Sequence, residues 1–437
     1  MLTKFLFKKI DNGSLIIFRI FFGILISLEC FGAILTGWVK NTLVSPKFTF
    51  SFIGFEWLQP LPGNGMYFYF FIMGTLGVFI ALGYKYKVSS SLFALLWTAV
   101  YLMQKTSYNN HYYLLVLISF IMIFLPANKD YSIDARQNLS LRSNNMYSYV
   151  KWVIVLQLII VYTYASVAKI YGDWLDFGVL ELFMRGKANY YVIGELLQQP
   201  WVHQIMGLAG ILFDLLVIPA MLWKPTRKFA FITAIGFHLF NAIVFQIGIF
   251  PFLSLAFMVF FFEPKTIKKI FLRKKTLYEI DIHNTATDKN IILVCAGIYF
   301  LIQLLLPIRH HFIKEDVLWT EEGHRLSWRM MLRSRYGKIK FKIVNKKTKD
   351  SKFINLSDYL SPKQAQRIGG YPDFIWQFSQ RLKKEYAKKG EDIAVYATNS
   401  KVSINGKPYE NFINENTDLA NESWNPYKHH EWILPSK

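Results

Sequence analysis

The sequence predicts an all-α polytopic membrane domain of about nine transmembrane helices, followed by an extramembrane α+β C-terminal domain. Three observations carry that expectation. Charged residues make up 18% of the 437 and hydrophobic residues 53%, with a mean hydropathy of +0.24. Soluble domains carry about 25% charged residues, so this chain has too little charge to clothe a water-facing surface of its size. Apolar stretches of membrane-helix length recur through residues 1–306. Beyond Leu306 the chain turns polar, with 24 Lys/Arg against 15 Asp/Glu in 307–437. The same composition excludes disorder, a collagen-like fibre and a disulfide scaffold.

The nine stretches are Gly13–Leu35, Met66–Gly83, Ser89–Met103, Tyr112–Leu125, Tyr149–Val167, Ile205–Leu222, Phe229–Phe245, Phe250–Phe262 and Ile291–Leu306. The fourth and eighth are short enough for broken or re-entrant helices. The first is too long for a signal-peptide core and lacks a small-x-small cleavage site, so it reads as a true span. Basic groups at Lys4/Lys8/Lys9, Lys85/Lys87, Lys129/Arg136/Arg142, Lys224/Arg227/Lys228 and Lys265–Lys275 fall in alternate connections. Placing all of them in the cytoplasm satisfies the positive-inside bias and leaves the segment after Pro307 outside, in a periplasm or lumen. The expected domains are therefore 1–306 and 307–437.

In the second domain, Lys338–Val344 alternates apolar and basic residues and then meets the polar turn Asn345–Asp350, which reads as a hairpin. Phe374, Phe378 and Leu382 lie at helical spacing within Tyr371–Lys389. Asn405-Gly406 suits the positive φ angles of a type I′ turn and predicts a second hairpin.

The net charge of +21 comes with no nucleic-acid motif, and basic flanks are what membrane topology requires; no nucleic-acid partner is expected. Cys30 and Cys295 both sit in apolar stretches and read as buried thiols packing as small hydrophobes. No CxxC metal site occurs, and no metal is expected.

Polar groups inside membrane spans are expensive and are functional candidates by default. The spans hold Arg19, Glu29, Asp214, His238 and Asn241; Lys105–His111 joins the third to the fourth, Lys169 ends the fifth, and Gln246 follows the seventh. His111, Lys169 and Gln246 fall on the same outer side, which predicts a polar cavity over an apolar floor. Plainer roles compete. Lys169 at a span end suits snorkelling to the interface, a membrane histidine suits an interhelical hydrogen bond, and Arg19 suits a structural ion pair with Glu29 or Asp214. These patterns name no reaction.

Longer motifs add a resemblance. Lys105-Thr106-Ser107-Tyr108-Asn109-Asn110-His111-x-Tyr113-Leu114, Val167-x-Lys169-x-x-x-Asp173-Trp174 and Phe18-Arg19-Ile20-x-Phe22-Gly23 resemble stretches of the vitamin K-dependent γ-glutamyl carboxylases. So do Ala127-Asn128-x-x-Tyr131-Ser132-Ile133-Asp134, His238-x-x-Asn241 with Ile247-Gly248-x-Phe250, Ser327-Trp328-x-Met330-Met331-x-x-Ser334-Arg335, and Trp424-x-Pro426 with Trp432. The order is colinear over nearly the whole chain.

The resemblance implies a mechanism. A lysine deprotonates vitamin K hydroquinone (reduced menaquinone or phylloquinone), which reacts with O2 to become a far stronger base. That base removes a γ-proton from a glutamate, the carbanion captures CO2, and the cofactor leaves as its epoxide. An ordinary lysine has a pKa of about 10.4; desolvation favours its neutral form and makes it a usable base.

By resemblance, Lys169 is that base and Asn110 and His111 are the pair that hydrogen-bonds the oxygenated cofactor, with His238 and Asn241 beside it. Trp328 and Arg335 match positions associated with the glutamyl substrate; His324 and Arg333 stand nearby, where well-known members carry other residues. The chain ends soon after Trp432-Ile433-Leu434-Pro435, where animal members continue, so propeptide recognition is not implied.

The expected setting is a bacterial inner membrane, with a glutamate-containing peptide or protein as substrate and a quinone reductase in the same lipid bilayer. Two other readings remain at this point: a quinone-dependent membrane enzyme acting on another acceptor, and a quinone-binding or transport protein without chemistry. Lys169 beside Asn110-His111 speaks against the last, as does the lack of an internal repeat.

Overall fold

The computed structural model describes residues 2–279 and 290–436. Nine helices stand where the nine apolar stretches fall: α1 Gly13–Leu35, α2 Gly65–Leu82, α3 Tyr86–Met103, α4 Asn110–Phe124, α5 Ser148–Val167, α6 Pro200–Leu222, α7 Arg227–Val244, α8 Phe250–Phe257 and α9 Asn290–Ile308. Local chemistry sets several of their ends. Pro200 opens α6 at a position whose N–H no helix uses. Gly83 ends α2 in the left-handed conformation. The Asn109 side chain accepts from Tyr112 N at 2.7 Å and caps α4.

Nine helices are not nine crossings. By length and composition six are fit to span a membrane: α1, α2, α5, α6, α7 and the helix that begins at Asn290. At 1.5 Å per residue, 15-residue α4 reaches about 22 Å against a hydrocarbon core of about 30 Å. Eight-residue α8 is shorter still, and α3 is diluted by Lys87, three serines and Thr98.

Arg19 makes neither expected ion pair. Its guanidinium, fully buried, donates to the carbonyls of Ala127 at 2.7 Å, Tyr131 at 2.6 Å and Asp130 at 3.4 Å, tying α1 to the chain after α4. Glu29 instead accepts from Tyr112 Oη at 2.6 Å. Cys30 is buried as expected, but Cys295 is exposed, because α9 lies at the margin of the bundle and buries only Gln303 and Pro307 among its residues.

The C-terminal domain is a four-stranded antiparallel sheet with two helices on one face. Strands β1 (Arg335–Asn345), β2 (Ser351–Ile354), β3 (Ile393–Ile404) and β4 (Glu410–Asn411) lie in the order β2-β1-β3-β4. Both expected hairpins form; the second turns at Asn405 (φ 52°) and Gly406 (φ 77°). Helices α10 (Pro362–Ile368) and α11 (Pro372–Ala387) cover the sheet, with Phe374, Phe378 and Leu382 in one core with Phe341, Ile343 and Val395.

The two parts interlock. Phe50, from the α1–α2 connection, sits in the C-terminal core and stacks on Phe374 at 4.9 Å. Trp328, past the compositional boundary, belongs to the membrane core and stacks on Tyr113 at 4.8 Å.

Candidate functional site

Lys169 follows the end of α5, where its N–H bonds the carbonyl of Ser166 at 3.0 Å. The side chain turns inward. Nζ donates to Ala165 O at 3.0 Å and to Asp214 Oδ2 of α6 at 2.5 Å, and lies 5.6 Å from the centre of the Trp174 ring. Lys169 and Asp214 are each 7% exposed, so this lysine does not snorkel. Glycines make the close approach possible: a Cβ on Gly207 would stand 2.6 Å from Phe177, and one on Gly210 would stand 3.4 Å from Trp174. Trp174 Nε1 donates to Gly207 O at 3.2 Å and locks the segment onto α6.

Above this pair lies a cavity of about 480 Å³, lined by Phe237, Phe240, Ile247 and Phe250, with His111, His238 and Asn241 as further polar groups. His238 is held by Tyr162 Oη at 3.0 Å from Nε2; its Nδ1 is buried and has no partner among the described residues. His111 stacks on Phe250 with centroids 4.1 Å apart. Ile205 and Ala209 of α6 and Thr233 and Gly236 of α7 line the cavity while being exposed on the outside of the bundle. The mouth of this apolar chamber therefore lies between α6 and α7.

A second chamber of about 250 Å³ shares His111, Met330 and Met331 with the first. Lys105, Arg325, Arg329, Arg333 and Arg367 line it. Asp373 pairs with Lys105 at 2.6 Å and Arg325 at 2.8 Å, and Glu321 pairs with Arg333. Burial alone would raise the Asp373 carboxyl, but Arg325 and Lys105 hold it below the usual range. Burial pushes Lys105 down to about 8 against the pull of Asp373. His324, buried among arginines, is held well below its ordinary value. It stays neutral, and its Nε2 accepts from Arg333 Nη1 at 3.0 Å.

The wall between the chambers is a loop of unusual backbone: Leu326, Trp328 and Met331 have φ of 62°, 55° and 52°. Each such residue costs about 1–3 kcal/mol and persists only where its surroundings over-determine it. Here Tyr108 Oη accepts from Leu326 N at 2.7 Å, Asn110 Nδ2 donates to Arg329 O at 3.1 Å, and Trp328 is fully buried.

Lys169, His111, His238 and Asn241 thus meet in the apolar chamber. Asn110 does not join them; it turns to the polar chamber and spends its amide on the loop, beside His324 and Arg333. Trp328 and Arg335 line neither chamber. Trp328 anchors the loop from beneath, while Arg335 is fixed by Leu318 O at 2.8 Å and by Gly370 O and lies over Phe412. Gln246 is outside both, donating to Tyr190 Oη at 3.4 Å. Sequence reasoning missed Asp214 as the partner of Lys169, and Arg325, Arg329 and Asp373 altogether. For Asp214 a signal existed: a lone acid in one span and a lone cation ending another.

The fold and this site define a polytopic membrane protein in which an apolar chamber abuts a cation-rich chamber beside an α+β C-terminal domain. A model of the HTTM domain matches residues 7–265, and a model of the lumenal domain of vitamin K-dependent gamma-carboxylase matches residues 288–437. The chain belongs to the vitamin K-dependent gamma-carboxylase family, whose second match gives the C-terminal part a lumenal character. No solved structure matches the chain.

Proposed function

We propose that this protein carboxylates glutamyl side chains at the γ-carbon, coupled to epoxidation of vitamin K hydroquinone by O2. One observation carries the reading: a greasy chamber containing a buried amine–carboxylate pair shares a wall with a chamber of arginines. The first suits a lipophilic quinone arriving from the bilayer. The second suits an anionic side chain arriving from water.

The residues fit a quinone. Aromatic walls provide stacking area, and the orphaned Nδ1 of His238 and the Asn241 amide provide polar partners for ring oxygens. The chemistry that reduced vitamin K supplies there is oxidation by O2, whose driving force removes a γ-proton that no side-chain base removes and leaves the carbon open to CO2. The Lys169–Asp214 pair takes up the hydroxyl proton. A proton taken by the Lys169 amine leaves an ammonium that the Asp214 carboxylate offsets where water is scarce. His111, at the shared wall, faces both reactants. Met330 and Met331 close that wall with apolar surface and keep water from the reacting carbon.

The setting that goes with this reading is a bacterial inner membrane, with a quinone reductase in the same bilayer and a glutamate-containing polypeptide as substrate. The test is the purified full-length protein in detergent with reduced vitamin K, O2, labelled bicarbonate and a glutamyl peptide. Labelled γ-carboxyglutamate together with vitamin K epoxide supports the reading. Epoxide without label moves the activity to another acceptor, and neither product removes it.

A further inference from the structure

The polar chamber holds more cations than its carboxylates satisfy. Asp373 is shared by Lys105 and Arg325, and Glu321 is taken by Arg333. Arg367 stands at the exposed rim and donates to Thr106 O. Arg329 is different. It has no carboxylate partner among the described residues; Nε is buried without a hydrogen bond, and its longest-reaching contact is Nη1 to His310 Nε2 at 3.4 Å.

Keeping a guanidinium partly out of water without an anion is unfavourable, and one carboxylate offsets the cost through two parallel N–H···O bonds. The backbone that presents Arg329 is also costly, since left-handed Trp328 precedes it and left-handed Met331 follows two residues on. Asn110 fixes its carbonyl from the membrane side. Met330 and Met331, the next two residues, form the wall to the apolar chamber. An anion on Arg329 would therefore lie close to that wall.

We propose that Arg329 is the residue that holds the carboxylate of the acceptor side chain and so sets selectivity for an acidic over a neutral acceptor. The proposal deepens the reading above and rests on a glutamyl side chain entering the polar chamber. It gives the role to Arg329 rather than to Arg335, which lines neither chamber and bonds the carbonyls of Gly370 and Leu318.

Equilibrium binding tests it apart from turnover. The full-length protein in phosphatidylcholine nanodiscs is titrated, without quinone, against a fluorescein-labelled peptide bearing one glutamyl residue and against the same peptide with glutamine there. The wild type binds the glutamyl peptide about tenfold or more tightly than the glutaminyl one. In Arg329→Gln that preference falls to about twofold or less, while affinity for the glutaminyl peptide holds; a merely structural role would weaken both peptides together. Arg329→Lys, which keeps the charge and loses the planar fork, retains part of the preference. An undiminished preference in Arg329→Gln overturns the proposal, as does a wild type with no preference. Should the glutamine variant not yield folded protein, the lysine variant decides by the same criterion. A wild type that prefers the glutamyl peptide yet forms no γ-carboxyglutamate overturns the proposed activity and leaves the Arg329 site standing.

Discussion

Lys169 Nζ stands 2.5 Å from Asp214 Oδ2, and both side chains are closed off from solvent. The arrangement replaces a solitary dry amine with a two-residue unit. Within such a pair a proton received by one partner is felt by the other, and removing either leaves an uncompensated buried charge. Asp214→Asn is therefore expected to lower epoxide formation by about 10²-fold or more, the scale of a lost acid–base group. Lys169→Ala should do the same, and the double variant should fall little further, because residues acting as a unit are not additive. Epoxide rates in the three variants are the measurement. An Asp214→Asn protein of wild-type activity would return the role to Lys169 alone.

The mouth between α6 and α7 makes a separate prediction. Gly236 lines the apolar chamber, and a Cβ built there meets nothing within 4 Å. Gly236→Trp should fold, since replacing an interior helix glycine favours the helix by up to about 1 kcal/mol. The indole would occupy the entrance. The expected result is a KM for reduced vitamin K raised about tenfold or more while the KM for the glutamyl peptide stays put. An unchanged quinone KM would place the entry elsewhere.

Much of this was legible in the amino-acid order, and the gaps have physical causes. Apolar runs locate helices because burying backbone in lipid leaves few alternatives, and all nine stretches are helical. Whether a helix crosses is a matter of length and of what packs around it; α4 and α8 are too short, and only the tertiary structure places them. Lys169 and His111, placed on one outer side by the topology, meet in the apolar chamber. Gln246, expected beside them, stands outside it, and only the resemblance puts His238 and Asn241 in their company. Periodicity does not give side-chain direction, however: Asn110 lines only the polar chamber, while His111, next in sequence, stands on the wall that both share. Trp328 and Arg335 carry a recognisable motif, yet their work is to hold the loop that exposes Arg329 and Arg333. A motif marks where a site is built without saying which of its residues touches the ligand.

The support beneath that loop is open to a stability test. β1 passes the end of α10 backbone against backbone: a Cβ on Gly337 would fall 2.0 Å from the carbonyl carbon of Gly369 and 2.2 Å from its oxygen. No rotamer relieves a clash with main chain, so strand or helix must move. Gly337→Ala is expected to destabilise the protein by about 3 kcal/mol, the upper part of the overpacking range, and to lower the melting temperature. The damage should reach the anchors of Arg335, whose Nε bonds the neighbouring Gly370 carbonyl. A melting temperature equal to the wild type would mean the two segments are not in contact.

Lys105 gives stability a pH signature. Burial brings its folded-state pKa down to about 8, against the opposing attraction of Asp373, whereas an unfolded lysine titrates near pH 10.4. Between those values the unfolded chain binds more protons than the folded one, so stability rises with pH across that window. For this group the whole rise amounts to about 3 kcal/mol. Asp373 is also held low, as a paired carboxylate is: its contribution is present above the unfolded carboxyl's value of about 3.9 and lost only in acid, so it adds no slope here. Lys105→Met removes the titrating group and leaves Asp373 its bond to Arg325 at 2.8 Å. The difference in melting temperature, wild type minus variant, should therefore climb from pH 7.5 to pH 10, other groups cancelling between the two proteins. Parallel profiles would show that the Lys105 amine keeps an ordinary proton affinity, and that the ion pair between the α3–α4 connection and α11 is more open to water than its burial indicates.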